Sequence, residues 1–384
     1  MKILYVSSSN VVGGGSIALL NLVRGIMAAG HDVMVATTCD NGIFYDMLAE
    51  TGCRLVRCHH RLSVYPKRGS RWQYLPRLVK MVLDNRRGCK ELARVIRDFQ
   101  PDIVHTNVGP MDAAFDACRQ LGVKHVWHQR EYQDLDFGLR FYPNVGAFMR
   151  KSHAEGNYNI CITRGVFAHR QYRDGIDTVI YDGVFAGELC DRSRWQTKED
   201  YILFAGRIEE AKGALDLLHV FVEFHKRYPT CRLKLAGRYD AQSAYYQRCL
   251  DFVRSARLTD VVELLGERSD VYDLMARARM QVVPSRFEGF GFITAEAMLN
   301  GCPVVGRDTA GTKEQFDKGL EYTGREIGLR FTTNEEMLSM MCRAMDEPME
   351  DMCQQAFRTV SHFYTIEEHV RQVLAYYERI INNR

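Results

Sequence analysis

Apolar and polar positions in the first half of the chain follow a regular order of short apolar runs and longer amphipathic stretches. The run Lys2–Ser8, rich in β-branched and aromatic residues, predicts a strand, and the polar, glycine-rich segment Ser9–Gly15 predicts a loop. Ser16 is a suitable N-cap for a helix that Gly30 ends, and Asp32–Thr37 predicts the next strand. Further strands are predicted at Arg54–Arg57, Ile103–His105, Lys124–His128, Tyr158–Ile162 and Thr178–Tyr181.

The same order restarts in the second half of the chain. Strands are predicted at Tyr201–Ala205, Arg232–Ala236, Val261–Leu264, Met280–Pro284 and Pro303–Gly306. Helices are predicted at Ala214–Tyr228, Ala244–Ala256, Val271–Ala276, Thr294–Asn300 and Ile366–Ile381, because apolar residues recur there at helical spacing. Strands that alternate with helices favour parallel sheets covered by helices on both faces.

We therefore predict an α/β protein of two Rossmann-like, doubly wound parallel-sheet domains. Residues 1–189 form the first and residues 190–365 the second, with the polar segment Cys190–Asp200 as the linker. Ligands bind such sheets outside the carboxyl ends of the strands. Two of these domains imply a deep cleft between their strand ends, so the loops after the strands are expected to carry the chemistry.

Composition narrows the class of protein. The chain has 384 residues, 46% of them hydrophobic and 26% charged, which is typical of a globular protein. Its apolar runs fall short of the ~20 residues that span a bilayer, and the first ten residues do not resemble a signal peptide. Twelve cysteines are scattered without metal-binding spacing, so we expect a reduced, cytoplasmic protein without a metal site.

Positive charge is concentrated between Arg54 and Arg97. This stretch holds thirteen Arg or Lys residues but two acids, Asp84 and Glu91, and aromatic and apolar residues such as Trp72 are interleaved with the cations. Such a segment suits an anionic membrane surface or a lipid-diphosphate acceptor, which would make the protein peripheral on the inner face of the membrane. A solvated basic face over a buried apolar stripe fits equally well. A nucleic-acid partner is not expected, because no nucleic-acid module is recognisable.

Three consecutive glycines, Gly13, Gly14 and Gly15, stand in the first loop after a strand. Glycines let a backbone approach a ligand closely, and the helix N-terminus that follows favours anions. A tight turn without a ligand is the alternative. The spacing does not match the dinucleotide fingerprint G-x-G-x-x-G, so an NAD-dependent dehydrogenase is not favoured.

A second loop carries Gly206 and Arg207, followed by Lys212 and Gly213. Arg207 leaves the end of a strand and Lys212 precedes a helix. Two cations beside a helix N-terminus suit a diphosphate, with bidentate arginine contacts and lysine as a point charge. A solvated charged loop is the alternative, because Glu209 and Glu210 lie between the two cations.

A third segment, Pro284–Val305, combines two carboxylates with a glycine-rich helix start. Glu288 stands in the loop after a strand, Gly289 and Gly291 leave backbone N–H groups free, and Glu296 falls early in the helix. Carboxylates accept hydrogen bonds from the hydroxyls of a sugar or ribose, and free amides stabilise phosphate charge. A lone Glu296 would be an ordinary surface acid, but Glu288, the glycines, Arg207 and Lys212 stand at equivalent strand ends.

This segment resembles the E-x7-E signature of the family 4 retaining glycosyltransferases, the group 1 glycosyl transferases of bacterial polysaccharide assembly, which have the GT-B fold. The resemblance extends over almost the whole chain. It includes the opening glycine loop, the strand end Trp127–Glu131, the segments Tyr158–Thr163 and Val179–Val184, and Gly266–Ala278 beside the expected nucleotide base. It implies a uridine or guanosine diphosphate sugar as donor, a glycan or lipid-linked acceptor, and no cofactor. We also expect the segment of about 366–384 to pack back onto the first domain.

The resemblance implies a role for each matching residue. Glu288 contacts donor sugar hydroxyls, Glu296 holds the ribose, and Arg207 and Lys212 neutralise the diphosphate. His128 faces the donor sugar from the first domain. The backbone that binds donor and nucleotide is expected at Gly14, Gly15, Gly206, Gly289, Phe290, Gly291 and Phe292. Asp182 departs from the family pattern, which commonly has Asn there.

The expected reaction is metal-independent transfer of a hexose with retention of configuration, because no D-x-D motif stands at a matching strand end. The acceptor would attack on the face that the diphosphate leaves, since no nucleophile stands out for a double displacement. A GT-B sugar-nucleotide epimerase and a non-catalytic nucleotide-sugar-binding protein are the alternatives.

Overall fold

The computed structural model describes residues 1–9 and 12–382. Asn10 and Val11 of the predicted loop Ser9–Gly15, and the last two residues of the 366–384 segment, lie outside the described residues. The chain forms two compact units. Residues 1–183 together with the chain from Ile366 onward form the first, and Val184–Thr365 forms the second.

The first unit is built on a parallel sheet. Its strands, with those of a small hairpin, are β1 (Lys2–Val6), β2 (Asp32–Thr37), β3 (Arg54–Arg57), β4 (Val64–Pro66), β5 (Ile103–Thr106), β6 (His125–Gln129), β7 (Leu139–Phe141), β8 (Asn157–Cys161) and β9 (Thr178–Val179). The sheet order is β3-β2-β1-β5-β6-β8-β9, and β4 pairs with β7 in the antiparallel hairpin. The helices that precede the second unit are α1 (Gly14–Ala28), α2 (Ile43–Ala49), α3 (Leu75–Phe99), α4 (Asp112–Leu121), α5 (Val145–Ser152) and α6 (Arg164–Arg170).

Alternate residues of β1 belong to different hydrophobic cores. Ile3 and Tyr5 pack with the apolar side of α1, whereas Leu4 and Val6 pack with α3 and α4. Successive side chains of a strand point to opposite faces, so both faces of the sheet are covered. This confirms the doubly wound α/β arrangement that the alternating apolar runs predict.

The predicted cap of the first helix is wrong. Helix α1 begins at Gly14 with Gly13 as its N-cap, so Ser16 lies inside the first turn. The Ser16 hydroxyl accepts a hydrogen bond from the Gly13 N–H at 2.7 Å and donates one to the Gly13 carbonyl. The serine therefore ties the turn together from within, a role that its position in the sequence does not distinguish from a cap.

The second unit repeats the architecture. Its strands are β10 (Glu199–Ala205), β11 (Arg232–Ala236), β12 (Val262–Gly266), β13 (Ala278–Val283), β14 (Val304–Arg307) and β15 (Leu329–Phe331), in the parallel order β12-β11-β10-β13-β14-β15. Its helices are α7 (Ala214–Arg227), α8 (Ala244–Ser255), α9 (Val271–Arg277), α10 (Phe292–Leu299), α11 (Ala310–Thr323), α12 (Asn334–Asp346) and α13 (Glu350–Phe363). None of the helices in the described part of the chain is both long and apolar enough to cross a membrane.

The C-terminal helix α14 (Ile366–Asn382) belongs to the first unit. Its apolar side, including Val373 and Tyr377, is buried in the same core as Ile3 and α1. The chain leaves the first unit after Gly183, whereas the sequence placed the boundary after residue 189. Val184 donates to the Tyr364 carbonyl at 2.8 Å and Phe185 pairs with Thr365, which ties the segment after Gly183 to the second unit.

Close packing of α1 against α14 gives a testable prediction. A Cβ on Gly25 would lie 2.4 Å from Val370 Cγ2, so Gly25→Ala overpacks this contact. We expect the substitution to lower the free energy of unfolding by about 1–3 kcal/mol, measured by chemical denaturation.

Val370→Ala removes the obstructing methyl groups and provides the control. The double variant should lose less free energy of unfolding than the two single variants lose together, because Val370→Ala makes room for the added Cβ of Gly25→Ala. Strictly additive effects would show that the two helices do not press on each other at this point.

Candidate active site

Two loops of the second unit leave neighbouring strands. The loop at 206–213 follows β10 and the loop at 284–291 follows β13, and β10 lies between β11 and β13 in the sheet. From β10 the chain continues to β11 and β12 on one side of the sheet, and from β13 it continues to β14 and β15 on the other side. Crevices at such switch points are where ligands bind doubly wound sheets. The fold therefore brings the predicted diphosphate loop and the predicted carboxylate loop to one point.

Backbone contacts hold these two loops together. Gly213 has a φ of 74°, and a Cβ at this residue would lie 2.6 Å from the Pro284 carbonyl oxygen. The Arg286 N–H donates to the Ala211 carbonyl at 3.0 Å. Glycine is required at position 213 for two reasons: the backbone is in the left-handed region, and the second loop leaves no space for a Cβ.

The contact of the loops brings Lys212 onto Glu288. The Lys212 ammonium donates to both carboxylate oxygens, at 2.7 and 2.8 Å. The exposed fraction of the side chain is 19% for Lys212 and 10% for Glu288. Two opposite charges are thus held together, mostly shielded from water, at the end of the sheet. The sequence predicted both residues for the site but not their ion pair.

Arg207 does not share this ion pair. Its guanidinium is exposed and bonds the Glu209 carboxylate at 2.8 Å. The structure therefore places Arg207 on the predicted loop beside Gly206, but pairs it with one of the acids that the sequence had raised against a diphosphate role. An exposed pair of this kind adds little stability and leaves the side chain able to change partner.

Helix α10 starts earlier than predicted, at Phe292, with Gly291 as its N-cap at a φ of 91°. Gly289 lies half-buried in the loop just before it, and the Phe290 ring is buried against Tyr364. The first amides of a helix have no acceptor within the helix, so this end can receive an anion or a polar hydroxyl.

Helix α11 fixes the backbone of this loop. The Gln315 side-chain amide donates to the carbonyls of Phe290 and Gly291 at 2.7 and 3.0 Å, and the Gly311 N–H donates to the Glu288 carbonyl at 2.9 Å. A Cβ on Gly311 would lie 2.2 Å from the Phe290 oxygen. Neither Gln315 nor Gly311 is predicted for the site from the sequence. A glycine within a helical stretch was the available signal, because it often marks a close backbone approach.

Glu296 is half-buried on α10, which argues against an ordinary surface acid. The Tyr272 hydroxyl donates to its carboxylate at 3.4 Å. Burial raises the pKa of Glu296 from 4.5 to about 7, and the tyrosine hydrogen bond opposes this only in part. The carboxylate therefore lacks the solvation it would have in water, which suits a group that accepts ligand hydroxyls.

In the first unit, Gly13 and Gly14 are exposed, and a Cβ on either would meet no described atom within 4 Å. Neither residue has a positive φ. The described residues give no steric reason for glycine at these two positions, so the space beside them is open to a ligand. Gly15 differs, because its Cβ would contact the Arg130 side chain at 3.5 Å.

His128, which the sequence predicts to face the donor sugar, lies inside the first unit. Its side chain is fully buried, stacks on His369 and lies with its Nδ1 3.3 Å from Nε2 of His105. Burial and the nearby Arg130 guanidinium hold the pKa of His128 and of His105 well below the usual value. These imidazoles are therefore neutral near pH 7 and act as packing and hydrogen-bonding groups.

Arg130 and Asp182 form a buried ion pair beside these histidines. Arg130 Nε also donates to the Asn107 side-chain oxygen at 3.0 Å, and Asn107 in turn donates to the Gly15 carbonyl at 3.0 Å. The Asp182 carboxylate balances the charge of the buried guanidinium. The roles of Arg130 and Asn107 are not predicted from the sequence, since their partners are distant along the chain.

Metal ligands are not gathered in the part of the chain that the structure describes. Within residues 1–9 and 12–382, no group of three or more His, Cys, Asp or Glu side chains is arranged to hold a metal ion.

Comparison with protein families covers most of the chain. Residues 13–181 match the model described as "Glycosyl transferase 4-like domain", and residues 188–334 match "Glycosyl transferases group 1". The two matches correspond to the two α/β units and include the glycine loop, Lys212, Glu288 and Glu296. The chain belongs to the GT-B glycosyltransferases.

Individual relatives of this glycosyltransferase agree with that conclusion. The glycogen synthase of Mycobacterium tuberculosis is 24% identical over 351 residues, which cover 83% of this chain and 81% of that protein. The lipopolysaccharide core mannosyltransferase LpsB of Rhizobium meliloti is 27% identical over 183 residues, covering 46% of this chain and 50% of that protein. The Anabaena protein Alr3699/HepE, solved with UDP and glucose, shares the fold with a TM-score of 0.75 and 18% identity, over 98% of both chains.

The raised pKa of Glu296 predicts a pH-dependent stability of this glycosyltransferase. Because the folded-state pKa lies above the unfolded value, the stability contributed by the protonated form is complete below about pH 4.5 and is lost as the pH rises through about 7. Glu296→Gln keeps the uncharged form at every pH. We expect its melting temperature to exceed that of the unmodified protein at pH 8, with the difference shrinking at pH 5.

Glu223→Gln on the exposed side of α7 is the matched control, since Glu223 pairs with Lys226 in water. This control should not reproduce the pH-dependent gain. The same melting difference for Glu296→Gln at pH 5 and pH 8 would refute the assignment of a desolvated carboxylate.

Proposed function

We propose that this glycosyltransferase moves a hexose from a nucleoside diphosphate sugar to a hydroxyl of a glycan or lipid-linked acceptor, with retention of configuration. The observation that carries the proposal is the Lys212–Glu288 ion pair beside the N-terminus of α10. A cation for the diphosphate, a carboxylate for sugar hydroxyls and free helix amides meet there within one unit. Glycogen synthase, a mannosyltransferase and a protein that binds UDP and glucose are among its relatives in sequence or fold.

The diphosphate is assigned to Lys212, Arg207 and the helix start. Lys212 provides a point charge, and Arg207 exchanges its exposed bond to Glu209 for two parallel bonds to phosphate oxygens. The backbone from Gly289 to Phe292 and at Gly206 lines the same place. These groups stabilise the charge that develops as the diphosphate leaves, so we propose transfer without a metal ion.

Sugar and ribose are assigned to the two glutamates. Glu288 accepts hydrogen bonds from donor sugar hydroxyls, while Lys212, which bonds both of its carboxylate oxygens, orients the carboxylate. Glu296, one turn or more along α10, accepts from the ribose hydroxyls. Gly14 and Gly15 of the first unit supply backbone beside the diphosphate and the acceptor. We assign His128 to the buried hydrogen-bonded network around Arg130 and not to contact with a ligand.

Transfer is proposed to occur on one face of the sugar. The acceptor oxygen forms the new bond to the anomeric carbon on the side from which the phosphate oxygen departs. The acceptor proton passes to that departing oxygen, so the products are the glycoside and the nucleoside diphosphate. Glu288 is engaged by Lys212 and is assigned to binding, without a covalent intermediate.

Donor identity is established first, by a thermal-shift screen of uridine and guanosine diphosphate sugars. A ligand that binds the folded protein raises its melting temperature by mass action. The donor that gives the largest shift is then used for kinetics with candidate glycan and lipid-linked acceptors.

Removal of the diphosphate cations should abolish most of the transfer. We expect Lys212→Ala to lower kcat/KM by about 100-fold or more, because it removes a charge aimed at the leaving group in a shielded site. Arg207→Ala should lower it by about 10-fold, since one charge-assisted contact is lost. Initial rates with the identified donor measure both effects.

Arg232→Ala is the matched control, because Arg232 begins the neighbouring strand β11, at the other end of the sheet, and pairs with Glu263 in the same exposed manner. Its kinetics should stay close to those of the unmodified enzyme, and the melting temperature of each variant is measured alongside. Donor turnover near the unmodified rate in Lys212→Ala would contradict the diphosphate assignment.

Same-face transfer predicts the anomeric configuration of the product. A donor with an α-linked sugar should give an α-glycoside, and the reaction should continue with EDTA present. Proton NMR of the purified product measures the coupling of the anomeric proton and so gives the anomeric configuration. A β-glycoside would exclude the mechanism, and an altered free sugar formed without acceptor would identify an epimerase instead.

A further inference from the structure

The first turns of α3 expose apolar side chains on their outer side. Leu75, Val79 and Leu83 are spaced four residues apart, so they follow one side of the helix. Their exposed fractions are 48%, 50% and 56%, and Trp72, in the 3-10 turn that precedes the helix, is 80% exposed. We name these four residues the α3 patch. A surface helix normally carries polar residues on this side.

The inner side of α3 already provides the packing that the helix needs. Leu78 and Met81 are buried against Tyr65, and the later turns pack into the core that contains β1 and α4. The α3 patch therefore contributes nothing to the folded core of its own unit. Several exposed apolar residues in one place, rather than single scattered ones, indicate an interaction surface.

The structure divides the basic stretch 54–97 into paired and unpaired cations. Arg54, Arg57, Arg61 and Arg87 form ion pairs with Asp32, Asp40, Asp84 and Glu91. The other cations have no carboxylate partner in the part of the chain that the structure describes, and they are Lys67, Arg68, Arg71, Arg77, Lys80, Arg86, Lys90, Arg94 and Arg97.

Five of these unpaired cations surround the α3 patch in the sequence. Lys67, Arg68 and Arg71 precede or adjoin Trp72, and Arg77 and Lys80 lie on the same turns as Leu75 and Val79. All five are exposed. The sequence alone could not distinguish a solvated basic face from unpaired cations around an exposed apolar patch. It does not show which arginines form ion pairs with acids.

We propose that the α3 patch docks this protein onto an anionic lipid bilayer. Apolar side chains with a tryptophan enter the headgroup region of a membrane, and long cationic side chains beside them reach the anionic headgroups. A second copy of the chain fits less well, because a symmetric contact would bring the same unpaired cations against each other.

The α3 patch lies on the same turns of the helix as residues that line a cavity of the first unit. Arg77, Leu78 and Met81 of the same turns line a cavity of about 470 Å³, together with Ser8 and Thr38, which follow β1 and β2. Docking through α3 holds this cavity of the first unit close to the membrane surface, which suits an acceptor carried on a lipid. This last step rests on the proposed function, whereas the docking itself does not.

Vesicle co-sedimentation of the whole chain tests the docking. The vesicles contain phosphatidylcholine alone or phosphatidylcholine with phosphatidylglycerol. We expect binding to the anionic vesicles at low salt and little binding to the neutral ones. Trp72→Ser combined with Leu75→Ser and Val79→Ser should weaken binding by about 10-fold or more, and Arg68→Glu combined with Arg71→Glu and Lys80→Glu should do the same.

Substitutions of the same kinds at positions away from the patch provide the controls. Ile43→Ser changes a well-exposed apolar residue of the same unit, and Arg254→Glu with Arg358→Glu reverses exposed charge in the second unit. These variants should bind vesicles like the unmodified chain. All variants should keep the melting temperature and the donor-induced thermal shift, because none of the changed residues lies in the donor site.

The outcomes separate docking from transfer. Failure of the unmodified chain to bind anionic vesicles, or full binding by both patch variants, overturns the proposal. A dimer in analytical ultracentrifugation that the apolar variant abolishes would make the patch an interface between copies and would also overturn it. Vesicle binding with no transfer from any nucleotide sugar would leave the docking intact and contradict the proposed function.

Discussion

The ion pair between Lys212 and Glu288 is the interaction on which the candidate donor site depends. It forms because the loops after β10 and β13 approach so closely that only glycine fits at position 213. Both side chains are largely shielded from water, so the loss of either leaves the charge of the other uncompensated. Helix α11 adds the second constraint, since Gln315 and Gly311 hold the carbonyls of the same loop. The geometry of the site is thus set by backbone contacts before any ligand arrives.

The two units handle buried charge in different ways. In the second unit, Lys212 and Glu288 stand in loops that follow strands, with their polar atoms directed at one another. In the first, the Arg130–Asp182 pair lies inside, surrounded by histidines that burial keeps neutral. The Asn107 side chain transmits the position of Arg130 to the backbone of Gly15. The backbone at Gly15 is therefore held by this buried network, whereas Gly13 and Gly14 are exposed.

Local patterns were sufficient for the fold and for placing the candidate residues of the second unit in two loops that follow neighbouring strands. Strands such as Asp32–Thr37 and Arg232–Ala236 have the predicted bounds, because a short apolar run between turn residues is a local property. The positions of Glu288 and Lys212 could be predicted because each stands in a loop that joins a strand to a helix. The buried place of His128 and the Arg130–Asp182 pair could not, since each depends on partners many residues away. The exposure of Leu75, Val79 and Leu83 likewise depends on which side of α3 the sheet covers, and periodicity alone does not decide that.

The discontinuous make-up of the first unit has a consequence for biosynthesis. Helix α14 supplies Val373 and Tyr377 to the core around Ile3, and the Tyr377 hydroxyl lies 2.5 Å from His105 Nδ1. All 182 residues from Val184 to Thr365 are translated between Gly183 and this helix. A ribosome therefore releases a contiguous second unit, able to fold as a whole, while the earlier first unit still lacks one wall of its core. Chaperones that bind exposed apolar surface during translation would find it on β1 and α1 until the last helix emerges.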